Sequence, residues 1–333
     1  MSIGRFVFCR CSTSEMKLLP SFTQLGTTAR ACLEPNQCGK VLAVFSKAIY
    51  LLMDSGELFW MTTTDIPMHR RCAQISAPLP GLVTGSPFHV QDHHLTIDPD
   101  FIFEIEDALL WNAPRLDSNH VLEITELPAR IHSFFCSLNY SQAKGFGNFI
   151  PHILSLAQNE SINPSSESTG PILQFSQPLV LDTVCARLDH QPLRVLSNTE
   201  ALIGLGAGLT PSGDDFVGGL LFALKILRTS YPTLPFADFE IPIDSYRSRT
   251  HLISFTLLKD LKDGHAIAPL HSILNGLFSG ESPEKLSPYI SQLTQVGHST
   301  GWDLLAGLLT GLLVTVQSND FISSFQMIQR LEA

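Results

Sequence analysis

The chain has 333 residues, 44% hydrophobic and 16% charged, with a formal net charge of −10. Apolar content at that level builds a large core and excludes a disordered chain. The acidic balance speaks against a nucleic-acid groove or an anionic membrane surface, but not against a small anionic ligand held by local dipoles.

The first residues, MSIGRFVFCRCSTSEMK, lack an apolar stretch followed by a cleavage site, so no signal peptide is expected. The apolar runs Phe216–Leu227 and Leu304–Val316 fall short of the roughly 20 residues of a membrane span and read as buried helices. Seven cysteines lie scattered, with Cys9 and Cys11 the closest pair, which suits reduced thiols in the cytoplasm.

Residues 1–125 read as a β-rich domain. Lys40–Met53 is dense in strand formers, Asp54-Ser55-Gly56 supplies a turn, and Glu57–Thr63 returns as a strand. Short strand-like runs follow at Gly81–Val90, His94–Ile97 and Phe101–Ile105, punctuated by prolines, which predicts a small barrel or sandwich. His93 and His94 alternate along such a run and would point to opposite faces, arguing against a shared metal. Trp111 reads as a buried strand end.

Residues 126–333 read as a mainly helical domain, so the fold class is α+β. Helices are expected after Pro128 and over Phe149–Ala157, with Gly145–Asn148 as the turn between them. A polar loop spans 159–171. Beyond it, helices are expected at Thr183–Asp189, Asp215–Leu227, Ser245–Lys262, Leu270–Leu277, Pro288–Leu293, Trp302–Val316 and Phe321–Leu331. Strands and helices do not alternate, which disfavours a doubly wound parallel sheet.

The densest chemical signal is Gly204-Leu205-Gly206-Ala207-Gly208-Leu209-Thr210-Pro211-Ser212-Gly213-Asp214-Asp215, running into an apolar helix. Alternate glycines permit close approach to the backbone, and a helix N-terminus attracts phosphate or carboxylate. A shorter echo reads Gly297-His298-Ser299-Thr300-Gly301-Trp302-Asp303. Aligning them sets Ser212 on Thr300, Gly213 on Gly301, Asp215 on Asp303 and Gly219 on Gly307. Two like units of this kind are expected to pack together, with helix glycines admitting close backbones and both N-termini facing one pocket.

Gly206, Gly208, Thr210, Ser212, Gly213, Ser299, Thr300 and Gly301 are then the candidate substrate-binding residues. Asp214, Asp215 and Asp303 are candidates for acid–base work, with Asp214 and Asp215 of the type that binds Mg²⁺, and His298 is a candidate proton carrier. Set beside this is the plainer reading of two well-capped helices packed through glycine. Arg247, Arg249, Thr250 and His251 read either as contacts to an anion or as a solvated face. Walker A is excluded by the lack of a lysine at the helix start, and the GxGxG spacing does not fit the Rossmann fingerprint.

GLGAGLTPSGDDFVGGLL together with GHSTGWDLLAGLL resembles the AllH-like family. The resemblance is specific at Gly204, Gly206 and Gly208 through Asp215, and at Ser299, Gly301 and Asp303. It extends more loosely over most of the chain. It implies a subunit of a carbamoyltransferase, moving a carbamoyl group between oxalurate and phosphate to give carbamoyl phosphate and oxamate in allantoin breakdown. It also implies partner subunits, one similar to acyl-CoA synthetases. A non-catalytic scaffold or metabolite-sensing subunit is the alternative.

Overall fold

The computed structural model describes residues 17–18, 21–116, 121–158, 160, 170–189, 191–232 and 240–313. The fold is α+β. Its contacts fall into two compact units, Met1–Asn112 and Ala113–Ala333.

The first unit is a single sheet of ten strands, curled into a half-barrel. In chain order these are β1 (Lys17–Leu18), β2 (Phe22–Gly26), β3 (Cys38–Val44), β4 (Ala48–Met53), β5 (Leu58–Thr63), β6 (Cys72–Ile75), β7 (Pro87–Gln91), β8 (His94–Ile97), β9 (Phe101–Glu104) and β10 (Leu109–Trp111). They lie side by side as β1-β9-β8-β7-β3-β4-β5-β6-β2-β10. Most neighbours are antiparallel; β1/β9, β5/β6 and β2/β10 are parallel.

The hairpin expected around Asp54-Ser55-Gly56 is β4–β5, with Leu52 opposite Leu58 and Gly56 at a φ of 89°. The dense run Lys40–Met53 is two strands, β3 and β4, which pair with Val44 opposite Ile49. Alternate residues of the strands, among them Ile49, Leu51, Phe59, Met61, Phe88, Val90, Leu95, Ile97 and Phe103, bury one core beneath the short helix α1 (Thr27–Cys32). His93 belongs to the β7–β8 turn, so only His94 is in a strand, and both are exposed. Trp111 is half-buried, because β10 is an edge strand.

The second unit holds α2 (Leu127–Cys136), α3 (Ile150–Ala157), α4 (Pro171–Leu188), α5 (Pro192–Leu202), α6 (Ser212–Ser230), α7 (Leu252–Lys262), α8 (Ala268–Phe278), α9 (Pro283–Thr294) and α10 (Thr300–Leu312). Short 3-10 turns at Gly145–Phe149 and Ile243–Arg249 precede α3 and α7. Several boundaries differ from the sequence expectation. The helix expected from Thr183 starts at Pro171 and carries Pro178 inside it. Likewise Pro288 lies within α9 and does not open it. Helix α5 was not expected at all; its opening Pro192 sits in the first turn, where a missing N–H costs nothing. The segment expected as one helix over Ser245–Lys262 breaks at Thr250 and His251, whose extended backbone separates the 3-10 turn from α7. Cys9, Cys11, Val316, the expected helix at Phe321–Leu331 and most of the polar loop lie outside the described residues.

α6 and α10 make the most extensive helix–helix contact of this unit, and they are its most buried helices. Their contact is reciprocal. A Cβ added at Gly307 would overlap the carbonyl oxygen of Phe216 on α6, and one at Gly219 would overlap that of Leu304 on α10. Each glycine is thus a notch filled by the other helix's backbone. The dispersion gained there offsets the cost of about 1 kcal/mol for each helical glycine.

Candidate functional site

The two glycine-rich segments share one local design. α5 ends at Leu202, and a loop then carries the chain to Gly213 in the first turn of α6. α9 ends at Thr294, and a shorter loop leads to Gly301 in the first turn of α10. A Cβ at Gly213 would overlap the carbonyl of Leu202, and one at Gly301 that of Leu293. In both units the helix start therefore presses on the last turn of the preceding helix, which only glycine permits. Gly206, at a φ of 133°, folds the first loop back so that a Cβ there would stand 2.6 Å from the Ser212 nitrogen. Gly208, with a φ of 96°, faces open space.

The loops meet. Thr210 Oγ1 lies 3.1 Å from Thr300 Oγ1, and Ser212 Oγ lies 3.4 Å from Ser299 Oγ. These four half-buried hydroxyls lie beside two buried carboxylates: Thr210 and Thr300 near Asp215, Ser212 and Ser299 near Asp303. Asp215 is 5% exposed and Asp303 0%. Each carboxylate has a hydroxyl from its own loop on one side and the first residue of the opposite helix on the other.

The three aspartates differ in what holds them. Asp214 Oδ1 accepts the Gly204 N–H at 2.6 Å, and its Oδ2 accepts the hydroxyls of Ser254, at 2.6 Å, and Thr250. Its carboxylate ties the loop to the start of α7. Asp303 Oδ1 accepts the N–H of Phe146 at 2.6 Å, from the Gly145–Phe149 turn. Asp303 Oδ2 and Asp215 Oδ2 are buried and have no hydrogen-bond partner among the described residues. Orphaned buried oxygens of this kind are uncommon and call for a ligand, a water or a proton.

Burial pushes the Asp303 carboxyl up to about 7, against the Phe146 N–H and the Ser299 and Ser212 hydroxyls, which pull it down. Asp215 is raised well above the ordinary carboxylate range, first by burial and then by the charge of Asp303, with Thr300 and Thr210 opposing. Neither carboxyl has a Lys or Arg among the groups that shift it. Burial thus favours the protonated form of both carboxyls, and at Asp215 the charge of Asp303 adds to it. Neighbouring carboxyls raised in this way suit general acid–base chemistry.

The N–H groups of the two helix starts are largely engaged within the loops. Gly213 N donates to Leu205 O, Asp214 N and Asp215 N to Pro211 O, Gly301 N to Val296 O, and Trp302 N and Asp303 N to Ser299 O. His298 is exposed in the turn before α10. Among the described residues no group of three or more His, Cys, Asp or Glu side chains converges as metal ligands would. Asp214, expected beside Asp215 for Mg²⁺, gives its oxygens to three protein donors.

Sequence reasoning did not name Thr250 and Ser254 as anchors of Asp214, nor the Phe146 N–H as anchor of Asp303. Thr250 lay in the stretch noted for its cations, Arg247 to His251, and Ser254 just beyond it. Those arginines are exposed and lie over the rings of Phe255 and Tyr246, at 5.8 and 5.5 Å. Phe146 lay in the Gly145–Asn148 turn.

The fold and site define an α+β protein whose helical unit brings two related loop–helix units together over a buried carboxylate pair. Residues 202–312, from the end of α5 to the end of α10, match the family described as oxamate carbamoyltransferase subunit AllH. This match supports the assignment of the chain to an AllH-like family. No solved structure matches the chain. Among the described residues no helix is long and apolar enough to cross a membrane.

Proposed function

We propose that the chain is a subunit of a carbamoyltransferase acting on oxamate and oxalurate in the cytoplasm, and that Asp215 and Asp303 are its acid–base pair. One observation carries this reading: the family match spans the segment that builds the pair. In the phosphorolytic direction, a phosphate oxygen attacks the ureido carbon of oxalurate, a C–O bond forms and the C–N bond to oxamate breaks. Asp303 takes the proton of the attacking hydrogen phosphate, and Asp215 gives its proton to the departing nitrogen. The products are carbamoyl phosphate and oxamate, and proton exchange between the two side chains resets the site. The hydroxyls of Thr210, Ser212, Ser299 and Thr300 orient the substrate. Asp214 holds the loop and takes no part in the chemistry.

The family description names a subunit, so the activity belongs to an assembly, with an acyl-CoA-synthetase-like protein as the expected partner. The test is carbamoyl phosphate formation from oxalurate and phosphate by the chain purified with its native partners. Asp303→Asn should lower turnover by roughly 10²–10⁴-fold while the assembly stays intact. Full turnover in that variant would leave the pair without a catalytic role. It would favour the alternative reading, a scaffold or metabolite-sensing subunit.

A further inference from the structure

His132 and Cys136 lie one turn apart on α2, so their side chains meet on one face of the helix. Cys136 Sγ is 3.3 Å from His132 Nε2 and 4.0 Å from its Nδ1. Gln158, which closes α3, sets its side-chain amide nitrogen against the same Nε2. With that amide N–H donating, Nε2 is the unprotonated nitrogen of the ring, and the thiol faces its lone pair. All three residues are exposed. We propose that Cys136 is a site of reversible S-thiolation, where the thiol exchanges with a small-molecule disulfide and His132 Nε2 serves as the base.

The other described cysteines are set against such chemistry. Burial pushes the Cys32 thiol up to about 12 and also raises Cys72 and Cys185. Cys38 is exposed like Cys136, but its thiol donates to Asp54 Oδ2 at 3.1 Å, and that carboxylate raises it. The two exposed thiols thus have opposite neighbours. A carboxylate keeps the proton on sulfur, whereas an imidazole that accepts it leaves a thiolate beside an imidazolium. In the exchange, His132 Nε2 takes the thiol proton and the thiolate attacks one sulfur of the disulfide. A new S–S bond to Cys136 forms as the old one breaks, and the departing thiolate takes the proton from His132. One disulfide replaces another, so no further oxidant is consumed, and an incoming thiol runs the step in reverse. Gln158 positions the ring through its amide.

Cys38 in the same molecule is the internal reference. The full-length chain is incubated with oxidised glutathione, and peptide mass mapping follows each cysteine with time. Cys136 should gain the glutathionyl group at least about tenfold faster than Cys38, and dithiothreitol should remove it. His132→Ala should bring Cys136 to within about threefold of Cys38 and leave the Cys38 rate unchanged. His132 is exposed, so this variant should melt with the unaltered chain, and a lost rate then reports the missing base. Equal rates at Cys136 and Cys38 in the unaltered chain overturn the proposal. So does an undiminished Cys136 rate in His132→Ala, or an adduct that dithiothreitol does not reverse.

Discussion

The two loop–helix units are built alike and finished differently. Gly213 and Gly301 both seat a helix start against the preceding helix, and Gly219 and Gly307 exchange notches. At the next aligned position the units part. The first has Asp214, which clamps Gly204, Thr250 and Ser254. The second has Trp302, which packs against Gly147 and lies 6.3 Å from the Tyr140 ring. One unit is fastened to α7 by hydrogen bonds, and the other to the 145–149 turn by the apolar contact of Trp302 together with the Phe146 N–H bond to Asp303. The asymmetry reaches the paired carboxyls: Phe146 N–H steadies Asp303, whereas Asp215 has no such backbone donor and carries the charge of Asp303 against it. A repeated pattern thus yields two aspartates in unequal surroundings, as a donor–acceptor pair requires.

The comparison can be broken at its notches. Gly219→Ala and Gly307→Ala should cost about 4 kcal/mol each or abolish folding, since the added Cβ meets backbone that has no room to yield. Chemical denaturation measures this, and a large cost at one position only would refute reciprocal packing. Asp214→Ala should cost about 3 kcal/mol, because buried donors lose their acceptor. In urea it should also loosen the start of α7, seen as faster amide exchange near Ser254.

The paired carboxyls should act in the opposite sense. The Asp303 carboxyl is raised from 3.8 to about 7, so the folded state keeps a proton that the unfolded chain releases. Stability from this group is therefore fullest below about pH 4 and falls as pH rises toward 7. Asp303→Asn should be more stable than the unaltered chain at pH 8, on the order of 2 kcal/mol, and no more stable near pH 4. Denaturant midpoints across that range check the sign. A gain that is independent of pH would mean the carboxylate is not the cause. Gly208→Ala should have the smallest effect, about 1 kcal/mol, from its left-handed backbone alone, because nothing crowds it.

The paired units were legible because glycine, hydroxyl and aspartate recur at matching offsets around an apolar helix, a pattern that local chemistry rarely repeats by accident. Their meeting also followed from the helix glycines, which need a close neighbour to justify them. The separate tasks of Asp214 and Asp215 were not legible. Adjacent positions on a helix point about 100° apart, and what each meets depends on Thr250, Ser254 and Phe146, all distant in sequence. The strands of the first unit showed in their β-branched and aromatic runs, but not their order, in which β2 lies between β6 and β10. Helix α4 was under-read because Pro178 looks like a stop when tertiary packing around Ser176, Val180 and Thr183 is unseen.

The exchanged notches also set a schedule for synthesis. Gly219 leaves the ribosome well ahead of Leu304 and Leu308, the α10 residues that close over it. At ordinary elongation rates of about 5–20 residues per second, α6 waits on the order of ten seconds for its counterpart. During that interval α6 has the earlier-made Phe146 beside its Phe216 but lacks α10 against Gly219 and Leu220. Slowing translation between α6 and α10 lengthens the time for which this apolar face stays uncovered.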